Sequence, residues 1–361
     1  MVNKIIQEDV KNIASSIEPH LNKLSGKTLL ITGGAGFIGR YFLHTIGYLN
    51  KNMLETPCKV ICVDNFITGL KNLEIEDPNI TLVEHDVRVP LKIDGNVDYI
   101  IHAAGLGSPV FYNKFKLETI EVGTIGTKNM LDLSREKNVE SFLFFSSSEV
   151  YGDPDPNFIP TPETYNGNVS CIGPRACYDE AKRIGETLCM VYFELFKTPI
   201  KIVRPFNVYG PGLRLDDYRV IPNFVANALK GNPIPVYGDG GHTRTFCYIT
   251  DAISGFLKVL LSNYNGDVFN IGNQEGEISV LDLAGVVAEI FDNKMGVKKT
   301  VIPNETYASA NPKRRCPDIT KIRNFLSYQP KINLRVGLKR FVEWAKEEYH
   351  TQKINTKELA K

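Results

Sequence analysis

The chain has 361 residues, which corresponds to one large domain or two closely associated domains. Its 42 basic and 41 acidic side chains nearly cancel, so we expect no bulk electrostatic attraction to nucleic acid or to an anionic membrane. The seven cysteines are scattered and lack metal-ligand spacing, which predicts reduced thiols in a cytoplasmic protein and no metal site.

The predicted elements alternate between helices and buried strands. A helix over residues 5–24 comes first, because apolar side chains recur there at helical spacing without the unbroken apolar core of a signal peptide. Short apolar runs rich in β-forming residues follow at 27–32, 59–63, 97–102, 142–146 and 200–204. Helical patterns separate them at 37–50, 115–136 and 176–196. This alternation predicts an α/β fold built on a Rossmann-type, doubly wound parallel sheet.

The composition of the sequence changes after Arg204, where frequent prolines and glycines separate shorter predicted elements. We therefore predict four segments: a helical extension at 1–26, a sheet domain at 27–204, a smaller C-terminal region at 205–346 and a polar tail at 347–361. Residues 268–272 again resemble a buried strand, so the chain is expected to return to the first sheet near 245–272 and interleave the two regions. Since no stretch is apolar for about 18 residues, no membrane span is expected.

A glycine-rich turn, Gly33-Gly34-Ala35-Gly36-Phe37-Ile38-Gly39, follows the first strand and opens the next helix. Glycines at 33 and 36 permit a tight turn whose N–H groups can approach a pyrophosphate at the helix N-terminus. Gly39 permits close packing of that helix on the strand, and Phe37 and Ile38 lie in the same motif. The context predicts a dinucleotide site, with a plain glycine turn as the alternative.

Acidic residues after the second and third strands agree with a dinucleotide site. Asp64 stands where a carboxylate hydrogen-bonds the adenosine ribose, and it would repel a 2′-phosphate. We therefore predict NAD rather than NADP as the cofactor, with Asn65 beside it. Asp86 follows the third strand and is predicted near the adenine, with loop capping as the alternative.

A tyrosine and a lysine four residues apart carry the predicted chemistry. Tyr178 and Lys182 lie one turn apart on the helix 176–196, so Lys182 is expected to lower the pKa of Tyr178 and make it a usable base. Ser147 and Glu149 follow the strand 142–146 and are expected at the carboxyl edge of the sheet, where open α/β folds bind ligands.

These motifs, in this order, resemble the extended short-chain dehydrogenase/reductase family of nucleotide-sugar epimerases and dehydratases over residues 27–346. The matching segments are 32–39, Asp64, 102–104, 147–152, 178–182, 204–207 and 243–246. The resemblance implies that Tyr178 and Ser147 contact the sugar hydroxyl being oxidised and that Lys182 also holds the nicotinamide ribose. It implies that Ala103 borders the cofactor, and that a UDP-sugar is bound by Ser108, Tyr112, Asn207, Arg219, Tyr237 and Arg244. The helices 115–136 and 176–196 resemble the pair through which related enzymes form a homodimer.

Within the family, the chain is similar to the UDP-glucuronate decarboxylases in residues 63–69, 148–154, 173–180, 219–224 and 317–319. A 4,6-dehydratase must protonate a leaving hydroxyl, and Ser148 stands where dehydratases have an aspartate. Oxidising carbon 4 of a glucuronosyl group gives a β-keto acid that readily loses carbon dioxide, after which hydride return regenerates NAD. We predict this decarboxylation of UDP-glucuronate to UDP-xylose. The alternatives are another NAD-retaining nucleotide-sugar 4-epimerase or 4,6-dehydratase, and a non-catalytic dinucleotide-binding module.

Two of the predicted catalytic residues have a second interpretation. By resemblance, Glu149 and Arg244 act near the sugar carboxylate or the protonation of carbon 5. Glu149 is present in the decarboxylases and usually absent from simple 4-epimerases. The alternative is that Glu149 only orients its loop and that Arg244 only binds the diphosphate.

Three positions near the expected sugar pocket depart from the family pattern. Gly123 stands where an asparagine is usual, so a contact that supports the active-site loop is expected to be missing. The segment 105–109 differs from the decarboxylase pattern, and Asn166 stands where an aromatic residue is common.

Overall fold

The protein is described by a computed structural model that covers residues 2–71, 73, 75–301 and 311–358, with 351–358 described by backbone alone. Parts of all four predicted segments lie outside these residues: residue 1 in the helical extension, 72 and 74 in the sheet domain, 302–310 in the C-terminal region and 359–361 in the tail. In chain order the strands are β1 (Thr28–Thr32), β2 (Lys59–Asp64), β3 (Ile80–Glu84), β4 (Tyr99–His102), β5 (Ser141–Phe145), β6 (Ile200–Pro205), β7 (Val208–Tyr209), β8 (Ile234–Tyr237), β9 (Thr243–Arg244), β10 (Cys247–Tyr248), β11 (Asp267–Ile271), β12 (Ile278–Ser279), β13 (Val297–Thr300) and β14 (Arg314–Arg315). The α-helices are α1 (Lys4–Ser16), α2 (Phe37–Asn52), α3 (Pro109–Lys114), α4 (Lys116–Glu121), α5 (Thr127–Glu136), α6 (Ala176–Phe196), α7 (Val220–Leu229), α8 (Ile249–Leu260), α9 (Val280–Ile290), α10 (Thr320–Leu326) and α11 (Leu334–Glu358).

The central sheet confirms the predicted Rossmann-type fold. Seven strands pair in parallel in the order β11-β6-β5-β4-β1-β2-β3. Leu29 and Ile31 of β1 belong to a hydrophobic core shared with α2 and α8, whereas Leu30 belongs to a second core shared with α5 and α6. Both faces of the sheet are therefore covered, which explains strands that are apolar without alternation. The carboxyl ends of the strands are left as the edge on which a ligand can bind.

Two predicted helices are interrupted. The helix expected over 5–24 ends at Ser16, and a 3₁₀ helix, Glu18–Lys23, follows with Pro19 in its first turn. Proline removes a backbone donor and clashes with the preceding turn, which accounts for the break. The helix expected over 115–136 consists of α4, a π-helical turn at Val122–Gly126 and α5.

Strand β11 joins the central sheet beside β6, with Asp267 opposite Lys201 and Ile271 opposite Pro205. Strands from before and after β11 build smaller sheets: β7 pairs with β10, β8 with β13, and β9 lies between β12 and β14. The chain thus leaves the main sheet after β6, returns to it at β11, and then completes the smaller sheets with β12, β13 and β14.

Helix α1 packs against α2 and α8 through a buried apolar face. Its Asp9 is buried and accepts hydrogen bonds from the hydroxyls of Tyr41 (3.2 Å) and Tyr248 (2.8 Å) and from Arg340 Nη2 (2.8 Å). Burial raises the pKa of Asp9, and Arg340 opposes that effect. One carboxylate therefore joins α1 to α2, β10 and α11.

Helix α11 extends through most of the segment predicted as a polar tail, 347–361, and ends at Glu358. No glycine or proline follows Gly337, so nothing in the sequence breaks the helix. Within the described residues, no helix combines the length and apolarity that crossing a membrane requires.

Candidate active site

A cavity of about 760 Å³ opens at the carboxyl edge of the sheet, between the turn after β1 and the loops around β7 and β9. Residues from both the sheet domain and the C-terminal region line it. The predicted site residues on its wall are Gly33, Gly36, Phe37, Ile38, Gly39, Asp64, Asn65, Ala103, Ser108, Tyr112, Ser147, Glu149, Tyr178, Lys182, Asn207, Arg219, Tyr237 and Arg244. Asp86 is the predicted site residue that does not line the cavity.

The glycine-rich turn fits a dinucleotide. Gly33 has φ +70°, and a Cβ there would lie 2.9 Å from the backbone carbon of Ala103, so the turn has no room for a side chain. Gly36 caps the N-terminus of α2, which leaves the first N–H groups of that helix directed at the cavity. The arrangement is a cradle for a pyrophosphate.

Asp64 holds this turn from the end of β2. Its Oδ2 accepts a hydrogen bond from the N–H of Ala35 at 3.0 Å, and its Oδ1 accepts one from the N–H of Phe66 at 2.8 Å. Burial raises the pKa of Asp64, and these backbone bonds counteract that rise. A carboxylate oxygen can accept a second hydrogen bond, so Asp64 can still receive a ribose hydroxyl.

Asp86 is occupied by protein groups. Arg88 donates from its backbone N–H and its guanidinium to Asp86, and Asn65 Nδ2 donates to Asp86 Oδ2 at 3.2 Å. The hydrogen bonds from Arg88 lower the pKa of Asp86 to about 2. These contacts favour the loop-capping interpretation of Asp86, and Arg88 is the side chain that reaches the cavity.

Replacing Asp64 with alanine is expected to weaken NADH binding by about 10- to 100-fold, because a hydrogen bond to a charged group contributes about 1.5–3 kcal/mol. Affinity for UDP should change little. Fluorescence titration of NADH and calorimetry of UDP measure the two effects. Glu84→Ala is the matched control, because Glu84 lies opposite Asp64 on β3 and is exposed. Equal losses of NADH and UDP affinity would contradict a ribose role for Asp64.

Tyr178 and Lys182 lie together on the cavity wall. Both side chains are buried, and the ring of Tyr178 stacks on Tyr112 with centroids 5.1 Å apart. Lys182 Nζ donates to the carbonyl oxygen of Phe145 at 2.8 Å, which fixes the ammonium at the end of β5. Ser147 hydrogen-bonds Tyr178 and also accepts from the N–H of Glu149 at 3.2 Å.

The expected effect of Lys182 on Tyr178 is corrected by this geometry. Burial raises the pKa of Tyr178 to about 12, and the hydrogen bond from Ser147 is the largest opposing contribution. Burial also lowers the pKa of Lys182 to about 8, and its Nζ lies 5.8 Å from the centre of the Tyr178 ring. Ser147 therefore stabilises the phenolate more directly than Lys182 does.

The departures from the family pattern surround this pair. A Cβ at Gly123 would lie 2.7 Å from the Cβ of Ala181, so the glycine lets the π-helical turn pack closely on α6. A Cβ at Gly105 would lie 3.2 Å from Lys182 Nζ. The backbone carbonyl of Asn166 accepts a hydrogen bond from Arg183 Nη1 at 2.9 Å. At Gly123 and Gly105 the backbone therefore lies close to Ala181 and Lys182, respectively.

Glu149 is held by two arginines that sequence reasoning did not assign to the site. Arg315 donates to both of its oxygens, at 2.6 and 2.7 Å, and Arg175 donates to Oε2. All three residues line the cavity. Burial opposes ionisation, but the two guanidinium groups outweigh it and lower the pKa of Glu149 to about 2. Glu149 is therefore an ionised hydrogen-bond acceptor.

A second carboxylate lies behind this group. Asp179 is buried next to Tyr178, and its Oδ2 is 3.7 Å from Arg175 Nε. Burial and the charge of Glu149 raise the pKa of Asp179 to about 7. Arg175 and Arg315 therefore stabilise the charge of Glu149 more than that of Asp179. Asp179 does not line the cavity.

Arg244 lies beside Arg315, because β9 and β14 pair in parallel with these two residues in register. Its guanidinium donates to the carbonyls of Thr243 (2.7 Å) and Pro312 (2.6 Å), both neutral groups. Burial and the neighbouring Arg315 lower the pKa of Arg244 to about 9. A buried cation bonded to neutral oxygens is suited to an anionic ligand.

The remaining predicted substrate residues differ in how many hydrogen bonds they already make to other protein groups. Ser108 Oγ is buried and has no hydrogen-bond partner in the described part of the chain. Asn207 Nδ2 donates to the carbonyl of Thr245 at 2.8 Å, and Arg219 is paired with Asp217. Tyr237 is partly exposed at the rim.

The cavity wall is cationic although the whole chain is almost neutral. Among the described residues that line it there are seven arginines and one lysine against four carboxylates. A wall of this charge attracts a polyanion. Together with the glycine turn and the Tyr178–Lys182 pair, it suits a dinucleotide and a nucleoside diphosphate sugar.

Comparison with known proteins agrees with this geometry. A sequence model of the family described as "NAD dependent epimerase/dehydratase family" matches residues 29–272. UDP-glucuronic acid decarboxylase 2 of Arabidopsis thaliana is 41% identical over 319 residues, which cover 88% of this chain and 67% of that protein. UDP-glucuronic acid decarboxylase 1 of Danio rerio is 37% identical over 338 residues, which cover 93% of this chain and 76% of that protein.

The fold has close counterparts among solved structures. The dTDP-glucose 4,6-dehydratase DesIV of Streptomyces venezuelae, solved with NAD and TYD bound, superposes with a TM-score of 0.78 at 26% identity. The superposition covers 89% of this chain and 97% of that one. Since the family match spans most of the chain and includes the glycine turn, Asp64, Tyr178 and Lys182, the chain belongs to the NAD-dependent epimerase/dehydratase family.

Proposed function

We propose that the chain decarboxylates UDP-glucuronate to UDP-xylose, with NAD as a retained cofactor. The observation that carries the proposal is the cationic wall formed by Arg175, Arg244 and Arg315 near Glu149, in the same cavity that the Tyr178–Lys182 pair lines. It can receive a sugar carboxylate in addition to a diphosphate. Relatives named UDP-glucuronic acid decarboxylase, 36–41% identical to the chain, support the same substrate.

The oxidation step depends on Tyr178 and Ser147. Tyr178 takes the proton of the sugar hydroxyl at carbon 4 and later returns one, while Ser147 donates a hydrogen bond to the reacting oxygen. When bound, NAD supplies the hydride acceptor and returns the hydride at the end of the cycle. Lys182 holds a positive charge near the cofactor site, fixed by the carbonyl of Phe145.

The loss of carbon dioxide requires little help from the protein. The electron pair of the C5–C6 bond flows into the new carbonyl at carbon 4 and gives an enolate, while the cationic wall holds the departing carboxylate in place until it leaves. The enolate then takes a proton from solvent at carbon 5, before the hydride returns to carbon 4. Because Glu149 is ionised and both of its oxygens accept from arginines, it acts by positioning Arg175 and Arg315 rather than by donating a proton. This role differs from both interpretations considered for Glu149, which were direct action near the sugar and orientation of its own loop.

Proton NMR of the protein mixed with UDP-glucuronate and NAD tests the proposal. We expect UDP-xylose and carbon dioxide to form without net consumption of NAD. A retained carboxylate with inverted carbon 4 would indicate a 4-epimerase, and no turnover of any nucleotide sugar would indicate a binding module. UDP-glucose incubated in parallel is the control, since it lacks the carboxylate.

We also propose a homodimer formed by the surface of helices α4, α5 and α6. This surface exposes apolar side chains, including Leu117 at 72% and Leu195 at 68% exposure. Ile120, Ile125, Ile184 and Val191 are also exposed there. Contiguous exposed apolar surface is typical of a protein interface.

Introducing charge on this surface is expected to separate the dimer. The double variant Leu117→Glu/Leu195→Glu should sediment as a single chain, because two carboxylates in an apolar interface are costly to desolvate. Analytical ultracentrifugation measures the change. Ile172→Glu is the matched control, since Ile172 is 96% exposed and lies outside these helices. Identical sedimentation of wild type and double variant would refute the proposed interface.

The compartment belongs to the same proposal. The seven cysteines are free thiols, and most of them are buried. Scattered cysteines without a disulfide among the described residues are usual in a reducing compartment, and we propose that the protein is cytoplasmic.

A further inference from the structure

The loop between β7 and α7, residues 210–219, lies where the two halves of the cavity meet. Residues of this loop that line the cavity are Gly212, Leu213, Arg214, Asp217, Tyr218 and Arg219. The proposed function places the nucleoside diphosphate against this loop. The glycine turn and the first turn of α2 form the opposite, cofactor side of the cavity.

One side chain of α2 joins the two sides. Arg40 Nη2 donates a hydrogen bond to the carbonyl oxygen of Gly212 at 2.7 Å. Arg40 lies in the first turn of α2, where its own N–H donates to the carbonyl of Gly36 at 3.0 Å, and its side chain lines the cavity. The bond therefore connects the pyrophosphate cradle directly to the 210–219 loop.

The loop is shaped for this contact. Gly212 has φ +86°, and a Cβ there would lie 3.5 Å from Arg40 Nη2 and 3.8 Å from the ring of Phe37. Glycine thus allows the loop backbone to lie against the first turn of α2 in a conformation that other residues rarely adopt.

The charged pairs of the loop remain within it. Arg214 pairs with Asp216, and Arg219 pairs with Asp217, so these interactions stiffen the loop without joining it to α2. Leu213 is buried at the base of the loop. The Arg40–Gly212 bond can therefore transmit a movement of the loop to the first turn of α2, on the cofactor side of the cavity.

We propose that Arg40 is a positioning residue that couples the two ligands: a nucleoside diphosphate that binds the 210–219 loop tightens NAD through Arg40. The coupling is reciprocal by thermodynamic linkage, so NAD must tighten the nucleoside diphosphate by the same factor. It rests on the proposed function only in taking a nucleoside diphosphate as the ligand. Its consequence is that the cofactor is held most firmly while the sugar is oxidised.

Binding measurements test the coupling without using turnover. NADH fluorescence titrations are carried out with and without saturating UDP, and UDP calorimetry is carried out with and without NADH. For the wild type we expect UDP to tighten NADH by about 5-fold or more, a typical size for coupling between sites. For Arg40→Met, which keeps the packing of the side-chain stem, we expect the two NADH affinities to differ by less than about 2-fold.

Two further variants complete the test. Lys51→Met is the matched control, because Lys51 is an exposed cation in the last turn of the same helix, and it should couple like the wild type. Gly212→Ala disturbs the loop side of the bond while keeping Arg40, and it should also lose the coupling. If Arg40→Met does not show a cooperative thermal unfolding transition, and so is not folded, the coupling is tested with Gly212→Ala alone.

Three results would overturn the inference. They are the absence of coupling in the wild type, full coupling in both Arg40→Met and Gly212→Ala, and an Arg40→Met variant that weakens NADH equally with and without UDP. The last result would mean that Arg40 only contacts the cofactor. If UDP-glucuronate is not turned over but the coupling is found, the proposed reaction fails and the inference about Arg40 stands.

Discussion

Replacing Tyr178 with phenylalanine is expected to lower the turnover of UDP-glucuronate by about 10²- to 10⁴-fold, the range for a positioned general acid–base group. The substitution removes the hydroxyl that exchanges a proton with carbon 4 of the sugar. It keeps the ring that stacks on Tyr112, so the wall of the cavity should not move. NADH binding is expected to be unchanged.

Product formation by NMR and NADH fluorescence titration measure these two effects. Tyr192→Phe is the matched control, because Tyr192 lies on the same helix and donates its hydroxyl hydrogen bond to Asp132 Oδ1 at 2.7 Å, away from the cavity. It should turn over substrate like the wild type. Near-normal turnover by Tyr178→Phe would show that the assignment of the base is wrong.

Replacing Glu149 with alanine is expected to destabilise the protein by about 3–5 kcal/mol, the usual cost of removing one partner from a buried ion pair. Arg175 and Arg315 would then be buried side by side without their shared counter-charge. Glu149→Gln keeps the shape and removes the charge, so it should fold better than the alanine variant yet turn over UDP-glucuronate poorly, because the arginines lose their alignment.

Urea unfolding measures the free energy, and NMR measures turnover. Glu277→Gln is the matched control, because Glu277 pairs with Arg314, the neighbour of Arg315 in sequence, at a more exposed position. An exposed pair contributes only about 0–1 kcal/mol. Equal destabilisation by Glu149→Gln and Glu277→Gln would contradict the special importance of the buried pair.

The same carboxylate predicts how stability depends on pH. The pKa of Glu149 is about 2 in the folded protein, below the value of 4.5 that applies to an unperturbed glutamate. Its contribution to stability is therefore complete above pH 4.5 and is lost as the pH falls toward 2. The free energy of unfolding, measured at several pH values in this window, should depend less on pH for Glu149→Gln than for the wild type.

Local patterns predicted much of the fold because its strands are short, buried on both faces and separated by helices of clear period. The bounds of α6, Ala176–Phe196, agree with the prediction, and residues of the glycine turn line the cavity. Of the two errors in the helices, one has a local cause and the other depends on tertiary packing. Pro19 ends the α-helical part of the leader segment, and the π-helical turn at Val122–Gly126 follows from close packing of Gly123 on α6.

The cationic wall was harder to predict because its members are far apart in sequence. Arg175 and Arg315 lie 26 and 166 residues from Glu149, and no short motif links the three positions. Arg175 lies within the segment 173–180, and Arg315 precedes the segment 317–319 by two residues. Both segments are similar to the decarboxylases, so the resemblance indicated the neighbourhood of the two arginines but not their role. The pKa of Tyr178 depends on burial, which spacing along a helix does not reveal.

The buried cluster around Asp9 has a consequence for the synthesis of the chain. Asp9 on the first helix bonds to Arg340 on the last, 331 residues later. A ribosome that adds about 5–20 residues per second needs tens of seconds to cover that distance. During this time the apolar face of α1, with Ile5, Val10 and Ile13, lacks part of its final packing. The contacts of α1 are therefore complete only when both α8 and α11 have been synthesised.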